Sequence, residues 1–135
     1  MADAGTLHLI LVTPERKVLE ESGDAVSLPA TEGYVTILPA HAPLIATLGI
    51  GVLTLKNGAR STAYAIAGGF FEVSDDRVTV LADEAVGPSE VDAAATRRDL
   101  DEAKAVLGKS AGEEQERARR VIERAEAKLA IVGSA

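Results

Sequence analysis

The sequence contains no cysteine, which removes disulfides, thiolate nucleophiles and cysteine-based metal sites and fits a reducing compartment. Tryptophan is also absent and aromatic residues make up only 3% of the chain, so the stacking platforms that bind single-stranded nucleic acid are hard to assemble. Any core must be built from Val, Leu, Ile and Ala. No apolar run reaches the roughly 18 residues of a membrane span. The start, Met1-Ala2-Asp3-Ala4-Gly5, lacks the basic-then-apolar pattern of a secretory leader. These absences suggest a cytosolic chain, or one held at a membrane through partners without direct membrane insertion. Positive charge is the minority sign: 14 Lys and Arg against 21 Asp and Glu give a net charge of −7. That balance repels phosphate backbones and anionic lipid alike, so nucleic acid is not an expected partner.

What is present is enough for a folded protein, since 47% of the 135 residues are hydrophobic and a chain of this length matches one ordinary domain or a compact domain with an appendage. Up to about residue 84 the pattern is of short Val-, Ile-, Leu- and Thr-rich runs separated by turn residues. The runs predict strands at 7–12, 17–20, 25–28, 34–38, 44–48, 51–55, 61–66, 69–73 and 77–81. Asn57-Gly58 suggests a tight type I′ hairpin turn and Ser74-Asp75-Asp76 another turn. Gly68-Gly69, inside a strand-like stretch, suggests a bulge or the close approach of another backbone.

Gly87-Pro88 then breaks the chain, and the period changes. Ser89 followed by acidic residues resembles a capping box for a helix from about Glu90 to Leu107. Gly108 is placed as its C-cap, and Ser110 with Glu113 offers a second box for a helix ending near Val132. Two helices joined so tightly must lie antiparallel. The predicted fold class is α+β: an antiparallel β-sandwich of about nine or ten short strands over residues 1–86, followed by a two-helix hairpin over 87–135.

On the first helix Ala93, Thr96, Leu100, Ala103 and Leu107 share one stripe, and Val91, Ala94, Ala95 and Ala105 share a nearly opposite, alanine-rich one. On the second, Ala118, Val121, Ile122, Ala125, Leu129 and Val132 form the apolar stripe, bordered by a basic ridge of Arg117, Arg120, Arg124 and Lys128. The ridge is either a solvated face or a docking surface for an acidic partner. Local support is expected from pairs such as Glu113–Arg117, Glu116–Arg120 and Arg97–Asp101, each worth about 0.2–0.5 kcal/mol. A methyl-lined seam buries little apolar area, so the hairpin reads as weakly docked.

A search for chemistry finds little. His8 and His41 are the two histidines, and neither sits in a protease, phosphate-loop or hydrolase motif. His41 lies between Pro39 and Pro43, which stiffen the segment and favour a structural or interface use. Asp75/Asp76 and Asp83/Glu84 read as turn formers and solvated charges, without the organised oxygen-ligand loop that a hard cation needs. No catalytic residue, metal ligand or cofactor is expected.

The segment Glu32-Gly33-Tyr34-Val35-Thr36-Ile37-Leu38-Pro39-Ala40-His41-Ala42-Pro43-Leu44 resembles the signature of ATP synthase ε subunits, commonly EGxxGILPxHAPL. Leu11-Val12-Thr13-Pro14-Glu15-Arg16, Gly68-Gly69-Phe70-Phe71-Glu72-Val73 and Val78-Thr79-Val80-Leu81-Ala82-Asp83 follow in the same order as in that family. The resemblance implies a non-catalytic rotor-stalk subunit on the cytoplasmic face of the bacterial inner membrane. Its sandwich would bind the γ subunit and rest on the c-ring, with Glu32, Tyr34 and His41 near those contacts. Its hairpin would fold down on the sandwich or extend towards the α/β catalytic subunits, in transient contact, and inhibit ATP hydrolysis, with the basic ridge as the grip. Thr36 stands where the family has glycine, and Tyr34 where an acidic residue is common. Some members bind ATP through Ile/Leu-Asp-x-x-Arg-Ala; here the segment is Val91-Asp92-Ala93-Ala94-Ala95-Thr96, so Asp92 survives but Ala95 replaces the arginine and disfavours ATP. The alternative is a free-standing β-sandwich binding module whose hairpin mediates oligomerisation, and a hydrolase built on His41 ranks third.

Overall fold

In β1 (Leu7–Val12) the side chains alternate as a pleat requires: Leu7, Leu9 and Leu11 are wholly buried, and His8, Ile10 and Val12 face the other way and are partly exposed. The computed structural model describes residues 5–132, so the leader reading at residues 1–4 and the outer limits of both predicted domains lie outside the described residues. The strands that follow are β2 (Lys17–Gly23), β3 (Ala25–Ala30), β4 (Gly33–Ile37), β5 (Leu44–Thr47), β6 (Ile50–Asn57), β7 (Arg60–Ser74) and β8 (Arg77–Val86). The helices are α1 (Ala93–Leu107) and α2 (Gly112–Val132).

The pairing registers sort these strands into two layers that share β7 and β8. In the first layer β5 pairs with the second half of β7, which pairs with the first half of β8, followed by β1 and β2. In the second, the end of β8 pairs with the first half of β7, followed by β6, β3 and β4. Leucines of β1, Val26 and Leu28 of β3, Leu53 and Leu55 of β6, and Phe71 and Val73 of β7 belong to one buried cluster between the layers.

The two strands expected at 61–66 and 69–73 are therefore one long strand. It changes partner from β6 to β5 at Gly68-Gly69, whose φ angles are +72° and +115°. A Cβ on Gly69 would lie 2.1 Å from the Leu81 carbonyl oxygen. The glycines thus serve the expected close approach of two backbones.

Two further expectations are corrected. The sandwich is not wholly antiparallel, because β1 runs parallel to β8; alternation of side chains carries no information about strand direction. At the β6–β7 hairpin only Gly58 takes a positive φ (+64°), with Asn57 still in the strand, so the turn is not type I′. The two successive positive φ values that such a turn requires occur instead at Asp75 (+51°) and Asp76 (+60°), between β7 and β8.

Both capping boxes also resolve differently. Pro88–Glu90 forms a single 3₁₀ turn, in which Glu90 Oε1 accepts from the Gly87 N–H at 2.9 Å, and α1 starts later with Asp92 as its N-cap. Asp92 Oδ1 accepts from the Ala95 N–H at 3.0 Å. Ser110 donates its hydroxyl to the Val106 carbonyl, 2.6 Å away, closing the end of α1 instead of opening α2. Gly108 is the C-cap, as expected.

The hairpin is folded down. Thr96, Leu100 and Ala103 of α1 and Ala118 and Ala125 of α2 are buried, in line with the predicted stripes. The expected docking on the sandwich is made by residues outside the predicted stripes: Ala127 and Ile131 of α2 pack on Ala63 and Ala65 of β7, with Val52, Val86 and Val91 alongside. It is α2 that carries two contact faces, whereas Ala94 and Ala105 of α1 are exposed. None of the expected i,i+4 ion pairs closes among the described residues; Glu116 pairs with Arg119 instead, at 3.7 Å.

Candidate interaction surfaces

The two outer faces of the sandwich differ. On the second layer, residues pointing away from the core are small, Ala63 and Ala65 with Val52, and α2 covers them. On the first layer several outward residues are large and apolar, and none of the described residues covers them. The registers align Thr47, Phe70, Leu81 and Val12 in one row across β5, β7, β8 and β1, and Ile45, Glu72, Thr79 and Ile10 in the next, so the second row is apolar only at its ends. Ile45 is 70% exposed, Phe70 47% and Leu81 38%. An exposed row of large apolar side chains of this kind is a candidate protein contact surface. It was not picked out from the sequence, although one signal was there: with Phe71 in the core, a period of two sends its neighbour Phe70 outward.

The expected contact residues sit at two places. Glu32 lies in the β3–β4 turn and Tyr34 just after it, on a groove of about 640 Å³ lined also by Thr31, Ile45 and Thr47. Tyr34 is 60% exposed, yet its hydroxyl accepts from the Val52 N–H at 2.9 Å, and only glycine at position 51 leaves room for it. His41 lies beyond the far end of β4, a strand of about 16 Å by its rise per residue. Its loop is tied to the β7–β8 turn by the Ala40 N–H, which donates to Asp76 Oδ1 at 2.7 Å. The His41 ring Nδ1 lies 2.6 Å from the Ala42 carbonyl and the His41 N–H donates to the Leu38 carbonyl at 3.1 Å, so the histidine serves its own loop. Glu32 and Tyr34 form one locus and His41 another.

Electrostatics concentrate at the joint between sandwich and hairpin. Arg16 of the β1–β2 turn reaches Glu90 at 2.7 Å. The Gly87 N–H, and then Arg16, hold the Glu90 carboxyl below the ordinary range. Burial pushes the nearby Tyr64 hydroxyl up. On β2, hydrogen bonds from Lys17 and His8 lower Glu20. Among the described residues no cluster of His, Asp and Glu is arranged to hold a metal ion, and no helix is long and apolar enough to cross a membrane.

The model of the ATP synthase delta/epsilon chain β-sandwich domain matches residues 6–88. The ATP synthase epsilon chain of Solibacter usitatus is 40% identical over 126 residues, covering 93% of this chain and 94% of that one. The chain belongs to the ATP synthase ε-chain family. The epsilon chain of Nitratidesulfovibrio vulgaris is 37% identical over 131 residues, covering 96% and 98%. That of Halalkalibacterium halodurans is 47% identical over 87 residues, 64% of this chain and 65% of its own length. Among solved structures, a chain of the Euglena gracilis mitochondrial ATP synthase, an OSCP/F1/c-ring assembly, superposes with a TM-score of 0.82 at 26% identity, covering 93% of this chain and 81% of that one.

Within this ε-family chain the basic ridge divides. Arg117 and Arg120 are exposed, but Arg124 and Lys128 turn to Glu84 on β8. Asp83 and Glu84 are accordingly strand residues and not turn formers, and Glu84 is an ion-pair partner and not a freely solvated charge. Asp92, the surviving acid of the degraded ATP motif, has its carboxylate committed to the cap of α1.

Proposed function

We propose that the chain is the non-catalytic ε subunit of an F-type ATP synthase central stalk, coupling proton transport to rotary ATP synthesis, with a hairpin that restrains ATP hydrolysis. The observation that carries this reading is the asymmetry of the sandwich: one outer face is closed by the chain's own helix and the other is left apolar and open, in a chain of the ε family. An apolar face suits a permanent partner, and the γ subunit is assigned to Phe70, Leu81 and Ile45. The polar loci at Glu32–Tyr34 and at His41 suit the hydrophilic loops of the c-ring. The protein would then sit peripherally at the cytoplasmic face of the membrane, bound through these partners.

The inhibitory role is assigned to the hairpin. Its seam with the sandwich is mostly methyl groups, so an undocked state lies within reach, and a gap of a few kcal/mol leaves a populated minor conformation. Once extended, the ridge would meet acidic surface on the α/β catalytic subunits, with charge setting encounter and register. Reversing Arg117 and Arg120 to glutamate, which leaves the Glu84 pairs untouched, should raise hydrolysis by the assembled enzyme. Unchanged hydrolysis in that variant and after deletion of residues 88–135 would remove the inhibitory role.

The stalk reading itself is tested by affinity capture from detergent-solubilised membranes with the full chain as bait. Recovery of γ and c supports it. A clean monomer, or self-association through the hairpin alone, favours the free-standing binding module.

A further inference from the structure

Along β8 the buried residues are Val78, Val80 and Ala82, which by strict alternation would put residue 84 in the core as well. The alternation breaks where β8 passes from one layer to the other, and Ala85 is buried instead. Glu84 is thereby turned onto the outer face of the second layer, under α2. There Oε2 meets Arg124 Nη2 in a close charge-assisted hydrogen bond, and Oε1 lies 3.5 Å from Lys128 Nζ. Arg124 and Lys128 are four residues apart, one above the other on the helix. Their other side faces Thr96 and Asp99 of α1 across a recess of about 160 Å³. One carboxylate of the sandwich thus holds half of the basic ridge.

We propose that Glu84 is an electrostatic latch for the hairpin, and that it makes docking and gripping mutually exclusive. In the docked state Arg124 and Lys128 share the single charge of Glu84 and are held against the sandwich, away from any acidic partner. Undocking releases the arm and restores two cations to its ridge in the same step. The inference rests on reading the hairpin as a mobile inhibitory arm, but the latch has a readout of its own. Both pairs are partly solvated, so the effect is modest: loss of Glu84 should raise the undocked population about three- to tenfold, and salt should mimic the loss by screening.

The test uses the full chain, which lacks native cysteine, labelled for energy transfer through Ala59→Cys in the β6–β7 turn and Ala111→Cys at the hairpin tip. Glu84→Gln and, separately, Arg124→Gln should increase the long-distance population, with a cooperative melt retained. Glu84→Lys combined with Arg124→Glu and Lys128→Glu should return the distribution towards the docked, short distance. In the parent chain 1 M salt should open the hairpin, and in Glu84→Gln it should open it much less. An unchanged distance distribution in both glutamine variants overturns the latch, whatever hydrolysis does. If the distribution shifts while hydrolysis by the assembled enzyme stays constant, the latch stands and the inhibitory reading of the hairpin fails. If both shift, Glu84→Gln is the more strongly inhibited enzyme.

Discussion

Truncating Ile131 to alanine asks how the hairpin is held to the sandwich. Ile131 is 1% exposed and its buried neighbours in the seam, Ala63, Ala65 and Ala127, are all alanines. It is therefore the largest fully buried side chain of that contact, and of its neighbours only the partly buried Val52, Val86 and Val91 are larger than alanine, so the space it leaves is filled only in part. Buried Ile→Ala changes cost about 2–5 kcal/mol. At about 1.4 kcal/mol per factor of ten, the docked-to-undocked ratio should fall between roughly thirtyfold and a few thousandfold. The core between the two layers is a separate cluster, so its stability should not follow. Native-state hydrogen exchange separates the two, because an undocked pair of short helices with an alanine seam protects its amides poorly. Amides of α2 should lose protection by the stated factor while those of β1 and β7 keep theirs. Parallel loss in strands and helices would refute the argument, since the hairpin would then be part of one cooperative unit.

Gly69→Ala should destabilise the sandwich by at least about 2 kcal/mol, because a side chain at φ +115° also meets the Leu81 carbonyl; the melt should fall by roughly 8 °C or more. Gly58→Ala, at φ +64° with open space around it, should cost clearly less. The joint should be acid-sensitive. Glu90 is held below its ordinary 4.5, so its contribution is present above that pH and lost as pH falls through the lower folded value. Glu90→Gln should remove that part of the acid response of hairpin docking. Asp92→Ala should fray α1 by about 1 kcal/mol through loss of its cap, read by helical circular dichroism. The parent chain should show no micromolar heat of ATP binding, because Ala95 supplies no cation for the phosphates; such a heat, lost in Asp92→Ala, would contradict the assignment.

The elements were legible where local rules act alone. Alternation in Leu7–Val12 gave that strand its limits, and the periodicity of Thr96, Leu100 and Ala103 gave the inward face of α1. The errors lie where a residue had two partners to choose between. Glu90, expected as the first residue of the helix, turns back to Gly87 and out to Arg16, 74 residues away in sequence, a contact no local pattern encodes. The break at Gly68-Gly69 was read as two strands because a change of pairing partner within one strand leaves no trace in composition. Ala127 and Ile131 were missed because a helix touching two bodies has two stripes, and the stripe with more apolar residues masks the other. The contact residues Glu32, Tyr34 and His41 came from family resemblance, and the open face at Phe70 and Leu81 emerges only when four strands are laid side by side.

The central claim, that the open outer face seats this chain on the stalk, is tested most directly by titrating the purified full chain into a γ-containing ATP synthase core stripped of its ε subunit. The parent chain should bind at one site per complex. Phe70→Glu, which places a charge at the centre of the apolar row, should weaken binding by at least about thirtyfold, as loss of an interface anchor does, with its melt unchanged. Arg117→Glu with Arg120→Glu should leave that seating intact. Equal affinity of Phe70→Glu and the parent chain, or no binding by either, would contradict the account.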